Sequence, residues 1–180
     1  MKTQFVYYNV IEWELITEFY GSKTAKRSSV PLINHIKEGI HILDRINASV
    51  HSKRAFMIHP LLQSDADLKN NLDKVISTVD IKVVSMALEY RNIANAFLSD
   101  RLQLIIDNNL LHLSSIKLSP LKEVNDMLIA DKVQNKKDFE KYLKNREDVP
   151  NSQTLDLYFK MWLDVLEVSN DKYLELVKNL

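Results

Sequence analysis

The sequence predicts an all-α fold, a single-domain helical bundle of about eight or nine helices spanning residues 1–180. Three observations carry that prediction. Only two Gly and four Pro occur in 180 residues, so the chain has few places to turn sharply. Apolar residues recur at helical spacing along most of its length. With 46% hydrophobic content the chain can bury one good core, and it is too short to expect two large ones.

Phe5, Tyr8, Ile11, Trp13, Leu15, Ile16 and Phe19 predict a first amphipathic helix that Gly21 ends. A polar loop from Ser22 to Ser29 follows. Pro31 fits the first turn of a second helix, with Leu32, Ile33, Ile36, Ile40 and Leu43 as its apolar stripe. Ser49 suits the cap of a third helix from about Val50 to His59, with Lys53 and Arg54 on its exposed face. Pro60 disfavours α geometry at the residue before it, which places His59 at a helix end. A short helix is expected through Leu68, Leu72, Val75 and Ile76. The segment from Ile81 to Asp107 is the longest periodic one; its opening VDIKVV has strand propensity, but continuity with SMALEYRNIANAFL decides for helix. Ser119-Pro120 opens another helix, and Lys136 to Arg146 forms a short charged one. Leu155, Tyr158, Phe159, Trp162, Leu163 and Leu166 stack on a further helix, and Ser169 caps the last.

Composition removes several classes of chemistry. Lys plus Arg and Asp plus Glu are equal at 24 each, so no net field favours capture of nucleic acid or an anionic membrane. With no Cys there is no disulfide, thiolate metal site or thiol nucleophile, as suits a reducing compartment. The segment MKTQFVYYNVIEWELI carries Glu12 and Glu14 within its apolar run and does not read as a signal peptide. No apolar run suggests a membrane span, and a cytoplasmic protein is expected. No Walker loop, dinucleotide fingerprint, Ser-His-Asp arrangement or zinc-finger spacing occurs.

His35 closes the stretch KRSSVPLINH, and His59 lies in KRAFMIHPLLQSDADL, 24 positions later. This pattern resembles the HD superfamily of metal-dependent phosphohydrolases, and most closely its alarmone hydrolases, which remove pyrophosphate from (p)ppGpp. The resemblance covers residues 26–95, and residues 109–180 read as a helical C-terminal extension. It implies an HD-domain-like core in which two imidazoles and two carboxylates hold a divalent metal. His35 matches the first ligand and His59 the second, but Pro60 stands where the family has its first Asp. The later Asp falls on or near Leu88, with Glu89 as its neighbour. Gln63 and Ser64 occupy the places of the family's acidic pair, and Asp65 follows them. Gln is no general base, so Asp65 is the candidate there, reached by a one-residue shift. On the phosphate side the resemblance implicates Lys26, Arg27 and the turn Ser28-Ser29-Val30-Pro31, where Ser29 replaces Gly. Cations ahead of a helix start form a reasonable anion site.

Read without the family, Glu89, Arg91, Asn92 and Asn95 are polar residues inside an otherwise apolar helix. Two Asn there imply polar neighbours, either a nucleotide pocket with Arg91 clamping a phosphate or a buried structural network. His41, His51 and His112 lack partners at ligand spacing. The aromatic stripe of Tyr158, Phe159 and Trp162 reads as core, or as the seam of a homodimer. The richness in Asn, Lys and Ile resembles proteins of large tailed phages.

The expected function is binding of a phosphorylated nucleotide in an HD-like pocket with a depleted metal site, lined by Lys26, Arg27, Ser29, Arg91, Asn92 and Asn95. No cofactor is expected in that case. An active phosphohydrolase using Mn, Fe, Co or Zn, with His35 and His59 as metal ligands and Asp65 or Glu89 in catalysis, is the first alternative. A non-catalytic helical interaction protein is the second.

Overall fold

In chain order the helices are α1 (Ile11–Tyr20), α2 (Ile33–Arg45), α3 (Val50–Leu62), α4 (Asp65–Thr78), α5 (Ile81–Ala96), α6 (Ser99–Asp107), α7 (Lys122–Tyr142), α8 (Ser152–Val165) and α9 (Asn170–Val177). A 3-10 turn at Tyr7–Asn9 precedes them. The computed structural model describes residues 7–25, 28–110, 115–146 and 151–180. Among these residues no strand forms, and one isolated bridge joins Thr24 to Pro31. No described helix is long and apolar enough to cross a membrane.

α3 is the axis of the bundle. Ala55, Phe56, Met57, Ile58, Leu61 and Leu62 are all buried, and α1, α2, α4, α5 and α7 pack around them. The second half of α3 is apolar on nearly every side, and such a surface is satisfied only by being surrounded. Ser49 caps it by accepting the Ser52 N–H at 3.1 Å. Against it lies α2, whose Ile36, Ile40 and Leu43 face inward while Lys37 and His41 are exposed. The two helices meet closely at Gly39, where an added Cβ would lie 2.1 Å from Phe56 Cε1. Lys53 and Arg54 are not a free face: Lys53 reaches Asp44 at 2.6 Å, and Arg54 reaches the fully buried Glu12 at 2.7 Å.

Several boundaries depart from the sequence reading. α1 starts at Ile11, and Phe5 lies outside the described residues. Gly21 does end it, at φ 51°, with its N–H on the Thr17 carbonyl. Pro31 precedes the second helix rather than entering it, because its backbone is held in the bridge to Thr24. α3 continues past Pro60 to Leu62. The long helix is two, α5 and α6, broken where Phe97 turns its ring inward onto Tyr158, 6.3 Å away and parallel. The Arg101 guanidinium donates to the Ala96 carbonyl left open by that break. The charged stretch from Lys136 begins as the last third of the 21-residue α7, not as a separate helix. Trp162, Tyr158 and Phe159 are buried within the chain's own core.

Candidate functional site

Helices α2, α3 and α7 each deliver one side chain to a single point. His35, His59 and Asp131 offer three ligand atoms within 4.8 Å of one another. The two imidazole centroids lie 5.3 Å apart, and His35 Nε2 sits 3.5 Å from Asp131 Oδ1. The carboxylate therefore comes from α7. Leu88 instead packs against the core, and Glu89 accepts the Ser119 hydroxyl at 2.9 Å.

Hydrogen bonds assign both imidazole tautomers. The Gln134 amide donates through Nε2 to Glu38 at 2.9 Å and Asp138 at 2.8 Å, which leaves its Oε1 to accept from His35 Nδ1 at 2.7 Å. His59 Nδ1 donates to the Phe56 carbonyl at 2.6 Å. A carbonyl can only accept, so both rings carry a proton on Nδ1; His59, kept neutral by burial, leaves its Nε2 bare, and His35 turns its Nε2 toward Asp131. Metal-binding histidines are held in this way. At bonds of about 2.0–2.1 Å a tetrahedral metal sets its ligand atoms about 3.3–3.4 Å apart, close to the 3.5 Å that already separates His35 Nε2 from Asp131 Oδ1.

Asp131 is also half of a buried ion pair. Its Oδ2 meets Lys132 Nζ at 2.8 Å, and its Oδ1 accepts from Asn135 at 2.8 Å. Both charged groups are nearly sealed from solvent, at 5% exposure each. Burial raises the carboxyl, but Lys132 and the two imidazoles pull it further down, to about 2. Burial likewise opposes the Lys132 charge, and Asp131 overrides it and holds the amine above its ordinary range. Lys132 also donates to the Tyr158 hydroxyl at 3.1 Å and lies 4.9 Å from the Trp162 ring centre. Burial, with the adjacent His35, lowers His59 to about 3. Burial and Asp131 push the phenols of Tyr20 and Tyr90 up.

Two adjoining cavities open beside the cluster. The smaller, about 260 Å³, reaches His35, Asp131, Gln134 and Tyr20. The larger, about 450 Å³, has Phe139, Tyr158 and Phe159 as an aromatic wall, with Lys132, Ser28 and Ser99 around it. They meet at Ala25, Asn135 and Asp138. Size, apolar walls and a few converging polar groups are the attributes of a small-molecule site.

The other expected site residues are elsewhere or outside the described residues. Lys26 and Arg27 belong to the latter. Ser29 is exposed and adopts φ 58°, a left-handed conformation that favours glycine. The Asp65 side chain is 97% exposed and accepts from Arg91, so it does not face the imidazoles as a base. Asn92 is exposed, while Asn95 exchanges hydrogen bonds with Gln63, at 2.5 Å to its side chain and 3.0 Å to its carbonyl. Arg91 and Asn95 thus tie α5 to the start of α4 and the end of α3, and line neither cavity beside the cluster. Asp131, Lys132, Gln134, Asn135 and Asp138 take their place. No protein-family model, curated protein or solved structure matches the chain.

Proposed function

We propose that this protein binds a phosphorylated nucleotide in the joined cavities, with the His35–His59–Asp131 cluster beside its phosphates, in an HD-like pocket one carboxylate short. The observation that carries the reading is the convergence of two imidazoles, Asp131 and the buried Lys132 next to a cavity with an aromatic wall. The wall suits the flat face of a base, and Asn135 and Asp138 supply an amide and an acceptor for its edge. Ser29 at positive φ, where the alarmone hydrolases have Gly, supports the likeness to their phosphate-side turn.

Charge shapes the metal question. His35, His59 and Asp131 would hold a divalent cation, which would polarise a phosphoryl oxygen and lower the pKa of a bound water. Asp131 is already balanced by Lys132, so a dication would add two uncompensated charges to a buried site. An anionic phosphate removes that excess. Metal and nucleotide should therefore bind together much more tightly than either does alone. Asp131 favours a second reading, an active metal-dependent phosphohydrolase, because it returns one of the two carboxylates the sequence alignment lacked. Against it stand Pro60, which has no ligand atom, and Gln63 and Ser64, neither of which is a carboxylate base.

Calorimetry with guanine and adenine nucleotides and alarmones, each with EDTA, Mn or Zn, tests the proposal. Binding to the wild type that drops at least tenfold in Asp131→Asn and Asn135→Ala is expected. No binding by any nucleotide at millimolar concentration, with or without metal, overturns it. Release of phosphate or pyrophosphate that requires metal, His35 and Asp131 would select the hydrolase.

A further inference from the structure

Pro60 sits in the last turn of α3, an interior position where proline normally breaks the ladder. It removes the N–H that would meet the carbonyl four residues back, that of Phe56. That carbonyl instead accepts from His59 Nδ1 at 2.6 Å, within the same turn. His59 is buried against Phe56, Tyr90 and His35, with ring centroids 4.8 Å, 4.8 Å and 5.3 Å away, so its ring has little freedom to find another acceptor.

We infer that Pro60 is a positioning residue: by withholding its backbone donor it reserves the Phe56 carbonyl for His59 Nδ1–H, and so holds the Nε2 lone pair toward His35 and Asp131. The alternative tautomer, with the proton on Nε2, would leave a buried carbonyl without its donor. A penalty of that kind makes the Nδ1–H form dominant by roughly tenfold or more. Restoring an N–H at residue 60 satisfies the carbonyl from the backbone and relaxes the preference. The value of this arrangement to a metal or phosphate rests on the function proposed above; the tautomer itself does not.

Nitrogen-15 NMR of the histidine rings tests it, on labelled protein at pH 8 with EDTA. The wild type should show His59 with a protonated Nδ1 and a bare Nε2. Pro60→Ala and Pro60→Asp both restore the N–H, and in both the Nε2–H fraction should rise at least roughly fivefold while circular dichroism stays helical. Protonated Nε2 in the wild type, or an unchanged tautomer in Pro60→Ala, overturns the inference. A shift in Pro60→Asp alone would trace to its carboxylate and also overturns it. Zinc titration of the same proteins separates the two levels: Pro60→Ala should bind several-fold more weakly than wild type. A wild type that takes up neither zinc nor nucleotide, with the tautomer shift intact, would defeat the proposed function and leave the role of Pro60 standing.

Discussion

Acidification should unfold this protein through His59. The imidazole is 5% exposed and held at about 3, whereas in the unfolded chain it returns to about 6.5. The folded-state value is depressed, so between these values the unfolded chain binds a proton that the folded chain refuses. Stability is then full above the unfolded value and falls as pH drops through the window. The slope approaches about 1.4 kcal/mol per pH unit, so moving from pH 6.5 to 4.5 costs about 2–3 kcal/mol. That is a large part of the roughly 5–15 kcal/mol available to a domain. Asp131, held at about 2 against an ordinary 3.8, adds its own loss only at lower pH. Urea unfolding at pH 7.5, 6.5, 5.5 and 4.5, with chelator throughout, measures the effect. His59→Asn is the reference, since its amide can still donate to the Phe56 carbonyl but does not titrate. Wild type should lose about 2–3 kcal/mol more than His59→Asn over the range. Parallel curves for the two proteins, within about 0.5 kcal/mol, would refute the assignment of a buried neutral His59.

Asp131→Asn strands the Lys132 ammonium, 5% exposed, and should cost about 3–5 kcal/mol by urea unfolding. The double variant Asp131→Asn/Lys132→Met should recover much of that loss, and no recovery would mean that the pair is not the cause. Gly39→Ala, with its Cβ 2.1 Å from Phe56 Cε1, should destabilise by about 1–3 kcal/mol despite alanine's better helix propensity. Phe56→Leu should relieve part of the loss in a double-mutant cycle. Arg91→Ala breaks a pair with the exposed Asp65, and Arg91 lines neither cavity, so nucleotide affinity should stay within about twofold and the lost pair should cost at most about 1 kcal/mol. A tenfold loss of affinity there would return Arg91 to the pocket.

The helical class and most helix cores were legible because apolar spacing and caps such as Ser49 and Ser169 act locally. The two imidazoles do lie together, 5.3 Å apart, as the spacing of their two motifs led one to expect. Asp131 was not legible. The stretch ADKVQNKKD reads as a solvated charged face, and the stripe Asp131, Gln134, Asn135 and Asp138 has the spacing of any polar helix surface. Whether such a stripe meets water or a cavity depends on α2, α3 and α8, which no local pattern encodes. The usable signal was length: α7 runs for 21 residues with Val124, Met127, Leu128, Val133 and Phe139 buried, so its polar residues could not all face outward.

The places where local rules fail are more telling than those where they hold. Pro60 lies inside a helix, Ser29 adopts a positive φ, and Asp131 and Lys132 form an ion pair in the core. Each is unfavourable by itself, and positive φ also occurs at Asn47, Asn109, Asn151, Glu167 and Asn179, away from the cluster. Three of the exceptions border the cluster: Pro60 adjoins His59, Ser29 lies in the turn whose neighbours Ser28 and Val30 line the two cavities, and Lys132 bonds the carboxylate beside the imidazoles. Stability alone would favour a dry apolar packing in place of the ion pair.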